Sequence, residues 1–110
     1  MTDYGGWTDE QINEAIFKAK GWVFAGKLSL CGWYRDTSKG RENLFDSTPP
    51  DYTHDWRLAG ELLEEMKCDV YFYKDPETDE ELWALEKRVE WQPGLKRAIC
   101  EAWLAWKGVE

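Results

Sequence analysis

Apolar residues recur at spacings of three and four in three stretches of the chain, which is the signature of a helix with one buried stripe. The first stripe is Ile12, Ala15, Ile16 and Ala19. Thr8 and Gln11 in front of it have the spacing of a capping box, and Trp7 can staple onto Ile12. Gly21 is a natural stop. The second stripe is Trp56, Ala59, Leu62, Leu63 and Met66, with Thr53 expected as its cap and Asp55 in its first turn. Arg57, Glu61, Glu64 and Glu65 form its wet side. The third is Leu95, Ala98, Ile99, Ala102, Trp103 and Trp106, ahead of Gly108.

Between the helices the pattern changes to extended. Residues 22–35, rich in aromatic side chains with Gly26 and Gly32, predict one interrupted strand or a short hairpin. In 69–74 Val70 and Phe72 share one side and Tyr71 and Tyr73 the other. Across 81–91 Trp83, Leu85, Val89 and Trp91 alternate with Glu86, Arg88 and Glu90, as in a half-buried antiparallel strand. The two segments predict a hairpin joined at 75–80. Residues 36–51 read as a long loop.

The predicted order is α-β-α-β-β-α in a single domain, 1–110. Because 69–74 is apolar on both sides, helices are expected on both faces of a small, largely antiparallel sheet of three to four strands. That is a three-layer α/β/α sandwich.

Composition narrows the functional classes. The chain has 110 residues, 14 basic and 22 acidic side chains, a net charge of -8 and eight tryptophans. Residues 61–86 hold ten acids and only Lys67 and Lys74, so this block has the same net charge as the whole chain. Direct nucleic-acid binding is not expected, since it rests on many Lys and Arg contacts to phosphates. No apolar run approaches the roughly 20 residues that span a bilayer. The opening residues lack the basic and apolar parts of a signal peptide. Cys31, Cys68 and Cys100 are widely spaced, as in reduced cytoplasmic chains. Together these lead to the expectation of a cytoplasmic protein, away from the membrane.

The search for chemistry leaves few candidates. His54, the one histidine, could act as a general base with Asp55 or Asp51 beside it. It is weighed against a plain first-turn residue. Asp75, Glu77 and Asp79 crowd one turn and are weak metal candidates, but they lack the central glycine of a calcium loop. The cysteines have no zinc-site spacing. Glu86 and Glu90 on one strand face fit a charged rim better than a glycosidase pair. No phosphate-loop motif occurs, and no cofactor is implied. Trp33, Tyr34, Arg35 and Arg41 could form a cleft that stacks on a planar ligand and pairs its anionic group.

The second half carries a resemblance. PPDYTHDWRLAGELLEEM at 49–66, a hairpin ending in Trp91, and LKRAICEAWLAW at 95–106 resemble the phage ABA sandwich domain, a family of small phage and prophage proteins. Tyr52, Thr53, Asp55 and Trp56, then Ala98, Ile99 and Ala102, are the positions that match. Gln92-Pro93-Gly94 departs from the pattern. The resemblance implies an α/β/α sandwich, a phage or prophage source and residence in a bacterial host. It carries no activity and no catalytic residues. The expectation is a non-enzymatic accessory protein that binds a host protein or a ligand, or a second copy of itself. Sequestration of a host signalling nucleotide, acidic mimicry by 61–86 against a host defence protein, and a small hydrolase using His54 are the alternatives.

Overall fold

The computed structural model describes residues 4–27, 30–44 and 48–109, with backbone alone at 25–27, 30, 31 and 44. A short 3-10 turn, Tyr4–Gly6, precedes α1, Asp9–Ala19. Three strands follow: β1, Val23–Lys27; β2, Leu30–Thr37; and β3, Gly40–Leu44. Then come α2, Trp56–Met66; β4, Val70–Lys74; β5, Glu81–Leu85; β6, Arg88–Gln92; and α3, Leu95–Lys107. The order is therefore α-β-β-β-α-β-β-β-α.

The helices lie where the periodicity predicts them. Thr8 and Gln11 form the expected reciprocal capping box at α1. Gly108 closes α3 at a φ of 76°, where glycine avoids a Cβ clash. The cap of α2 is Asp55 and not Thr53: Asp55 accepts from the Arg57 amide at 2.9 Å. Thr53 is buried two residues earlier and gives its hydroxyl to Asp51 at 2.9 Å.

The strands depart from expectation. The predicted single sheet is instead two separate antiparallel sheets, β1-β2-β3 and β4-β5-β6. Residues 36–51 are not a loop throughout, because the end of β2 and all of β3 fall within them; 45–47 lie outside the described residues. Thr37 pairs with Gly40 across a two-residue turn. Residues 81–91 are likewise not one strand. Leu85 pairs with Arg88, so Glu86 and Lys87 make a tight turn and the chain doubles back. Trp83 and Leu85 thus lie on one face with Arg88, while Val89 and Trp91 lie on the other.

In coarse terms the body has three layers: the β4–β6 sheet, α3 upon β5 and β6, and α1 and α2 packed on α3. Seven consecutive residues of α3, Ala98 to Leu104, are buried, as befits a helix enclosed on all sides. The core joins Ile12 and Ile16 to Leu62, Leu85, Ile99, Trp103 and Leu104. Trp56 and Trp91, both expected inside, are 56% and 45% exposed.

The β1–β3 sheet extends from this body as an arm. The molecule measures 55 × 27 × 26 Å, and its radius of gyration is 15.8 Å against about 13 Å for a compact chain of this length. Trp33 anchors the arm. It is buried, edge-on to Phe17 of α1 at 5.1 Å and close to Phe24 of β1 at 5.2 Å. Phe17 also stacks on Trp22 at 4.7 Å.

Candidate functional site

The four residues of the predicted cleft are neighbours in space but do not converge. Side chains alternate along β2, so Trp33 and Arg35 point one way and Tyr34 the other. Trp33 is used up in anchoring the arm. Arg35 lies over the Trp22 ring at 4.9 Å and donates to Glu42 at 2.8 Å. Arg41 belongs to the Tyr34 side, 4.5 Å from that ring and paired with Asp36 at 2.9 Å. The hydrogen bond and charge of Asp36 raise the Arg41 pKa further. The geometry splits the quartet into two pairs on opposite faces of a thin sheet.

His54 sits in a polar junction between α1, the segment before α2, and α3. Its Nδ1 is 3.0 Å from Asp51, and its Nε2 is 3.5 Å from Asp9. Asp51 also accepts from Asn13 at 3.0 Å and from Thr53. Partial burial pushes the Asp51 carboxyl up. Hydrogen bonds from His54, Thr53 and Asn13 outweigh that and hold it below the usual carboxylate value. Lys96 donates to the His54 carbonyl at 3.2 Å. Asp55 has turned away to cap α2. A general base must offer a nitrogen to its substrate. Here both nitrogens face carboxylates of the chain itself, as in a clasp that ties residues 51–54 to α1.

The acidic turn satisfies itself. Asp75 accepts from the Glu77 amide at 2.9 Å, and Lys74 pairs with Asp79 at 3.2 Å. Among the described residues no three His, Cys, Asp or Glu side chains are placed to hold a metal ion, Asp75, Glu77 and Asp79 included. Cys68 and Cys100 are both unpaired, and the Cys31 side chain lies outside the described residues.

The feature that pattern reading missed is the outer face of β4–β6. Tyr71 pairs with Ala84 and Tyr73 with Leu82, and the Tyr73 and Trp91 rings lie 5.8 Å apart. With Val89 these residues share the side turned away from α3. Tyr71, Tyr73, Val89 and Trp91 are 40 to 66% exposed. Side chains of this size leave on the order of 400 Å² of mostly apolar surface open, as large as the biggest patch on many monomers. Its signal in the sequence is the two-sided apolar pattern of 69–74, which predicts a second layer of helix where the structure leaves the face open. No helix among the described residues is long and apolar enough to cross a membrane.

No protein-family model, no curated protein and no solved structure matches the chain.

Proposed function

We propose that the chain is a non-enzymatic binding protein that docks a partner protein on the outer face of β4–β6. The uncovered set Tyr71, Tyr73, Val89 and Trp91 carries this reading, since aromatic side chains at the centre of a surface patch are the usual anchors of an interface. The charge around it defines the partner. The β4–β5 turn bears Asp75, Glu77, Asp79 and Glu80, Glu81 opens β5, and Glu86 stands at the next turn. A second copy would bring these acids against each other. The fitting partner has an apolar centre rimmed by Lys and Arg, and attraction across the rim speeds its association. Acidic mimicry of the kind expected from residues 61–86 is one form of this binding. A phage or prophage source, with a bacterial host protein as partner, rests on the sequence resemblance alone.

The test is capture from a bacterial lysate, followed by reconstitution with the purified captured protein. The complex should weaken steeply between about 0.05 and about 0.5 M salt, as the Debye length contracts. It should be lost in the double variant Tyr73→Ser/Trp91→Ser and kept in Trp56→Ser, which alters an exposed aromatic of α2. A complex indifferent to both salt and the double variant overturns the reading. So does a homodimer, seen by light scattering, that the double variant dissolves.

A further inference from the structure

A second surface has the opposite character. Where α1 ends and the arm leaves the body, Ala19, Lys20, Arg35, Glu65, Trp103 and Lys107 line a cavity of about 250 Å³. Three cations from three different elements meet there in a chain whose net charge is -8. We propose that this cavity binds a phosphate-type oxyanion, either inorganic phosphate or the phosphate of a small phosphomonoester.

Among the described residues Glu65 is the one carboxylate in the lining, and both its oxygens are engaged. Oε1 accepts from Lys20 at 3.1 Å, and Oε2 accepts from the Trp103 indole at 2.6 Å. Burial raises its pKa, but these two hydrogen bonds and the charges of Lys20 and Lys107 lower it more, so it stays ionised. Glu65 therefore fixes Lys20 at the mouth without neutralising the site. Lys107 makes no ion pair among the described residues; its ammonium rests over the Trp106 ring at 4.5 Å and the Trp103 ring at 5.5 Å. The described lining carries three positive charges against one negative, and with Glu42, which Arg35 also holds at 2.8 Å, the surplus is one positive charge, which draws a phosphate-type anion.

The helix ends explain part of this arrangement. Lys20 caps α1 and Lys107 is the last residue of α3, where cations complement the carbonyl dipoles. Those carbonyls are already capped by backbone amides, with Lys20 donating to Ile16 and Val109 to Leu104. Arg35 has no such reason to be present, since it comes from β2. Its Nε is buried and has no hydrogen-bond partner among the described residues. A buried donor left unsatisfied is costly, and an anion that draws the Arg35 guanidinium toward the lysines would give it a partner. The volume fits one phosphate group and excludes a whole dinucleotide. Arg35 is the only residue this site shares with the cleft expected from sequence.

The experiment is an NMR titration of the intact chain with sodium phosphate, a nucleoside monophosphate and sodium chloride at matched ionic strength. The Trp103 indole signal is assigned by Trp103→Phe. Phosphate and the monophosphate should shift the Trp103 and Trp22 indole signals, and chloride should not. Lys107→Gln, a change at an exposed helix end, should weaken binding about tenfold or more while melting as the wild type does. Arg35→Met should do the same, and its folding is checked by the dispersion of the α3 signals. Tighter binding of the monophosphate than of phosphate identifies a phosphomonoester site, and equal binding identifies a site for the free anion. No shift up to about 10 mM phosphate, or equal affinity in Lys107→Gln, overturns the proposal.

Discussion

Arg97 donates through Nε to Glu101 at 2.9 Å, one turn further along α3, and the accepting carboxylate is wholly buried. Arg88 reaches the other oxygen of Glu101 from β6 at 3.3 Å, and it too is buried. Arg97 also holds Asp9 at 2.5 Å and the carbonyls of Tyr4 and Trp7 at 2.7 Å. One carboxylate thus ties the sheet and the N-terminal turn to the central helix. Removing one partner of a buried ion pair costs up to roughly 3–5 kcal/mol, and without Glu101 the two arginines keep only the half-exposed carboxylates of Glu90 and Asp9. Glu101→Ala should lower the free energy of unfolding by that amount, a large share of the roughly 5–15 kcal/mol a domain has. Glu86→Ala, at an exposed turn, should change it by less than about 0.5 kcal/mol. Urea denaturation of the two variants decides it, and equal midpoints would refute the role given to Glu101.

Glu101 also shows where sequence reading stops. On a helical wheel it belongs to the wet side of α3, and periodicity cannot tell that this helix is enclosed on all sides. The helices themselves are legible because their stripes and caps are local: Thr8, Gln11 and Gly108 act within a turn or two. The second hairpin is hidden because Glu86-Lys87 lacks the Gly, Asn or Asp that marks a tight turn. The alternation of Trp83, Leu85, Val89 and Trp91 then reads straight through it and puts all four on one face. Burial of individual tryptophans depends on which sheet face finds a helix, a long-range property. Convergence of Lys20, Arg35 and Lys107 is equally non-local, since they stand 15 and 72 positions apart along the chain.

Stability should fall on acidification through Asp51 and Glu65. Burial pushes both carboxyls up, but their hydrogen bonds and the nearby positive charges hold both below their ordinary values of 3.8 and 4.5. A folded-state pKa below the unfolded one adds stability that is complete above the unfolded value. That stability is lost as pH falls through the folded value. Melting temperature should therefore change little through these groups above about pH 5 and drop below about pH 4. Asp51→Asn should flatten that drop. An acid limb of unchanged steepness in the variant would count against the assignment.

Burial acts in the other direction on Cys100 and Tyr52, pushing both up to about 12. Each is stabilising as the protonated form. That contribution is complete below their unfolded values of 9.0 and 10.0 and is lost as pH rises through about 12. At pH near 8 the Cys100 thiol is both protonated and shielded, so iodoacetamide should modify it only as fast as the chain unfolds. Cys68, which is partly exposed, should react sooner. Mass spectrometry of peptides from a labelling time course separates the two. Prompt labelling of Cys100 in the native protein would contradict its burial.

The arm offers the most informative disruption. Trp33 is the large side chain that seats β2 against Phe17, and Arg35 over Trp22 is the adjoining contact. Truncating a buried tryptophan to alanine costs about 3–5 kcal/mol. Among the described residues the arm touches the body chiefly through this cluster, while the β4–β6 sheet and α1 and α2 pack on α3 without it. Trp33→Ala should therefore release the arm and leave the body folded. Hydrogen exchange should speed up at the β1–β3 amides and stay slow in α3 at Ile99 and Trp103. The Phe17→Ala variant should reproduce the same split, because it removes the other half of the contact. If exchange instead rises to the same extent in α3, arm and body unfold as one cooperative unit, and the arm is part of the core.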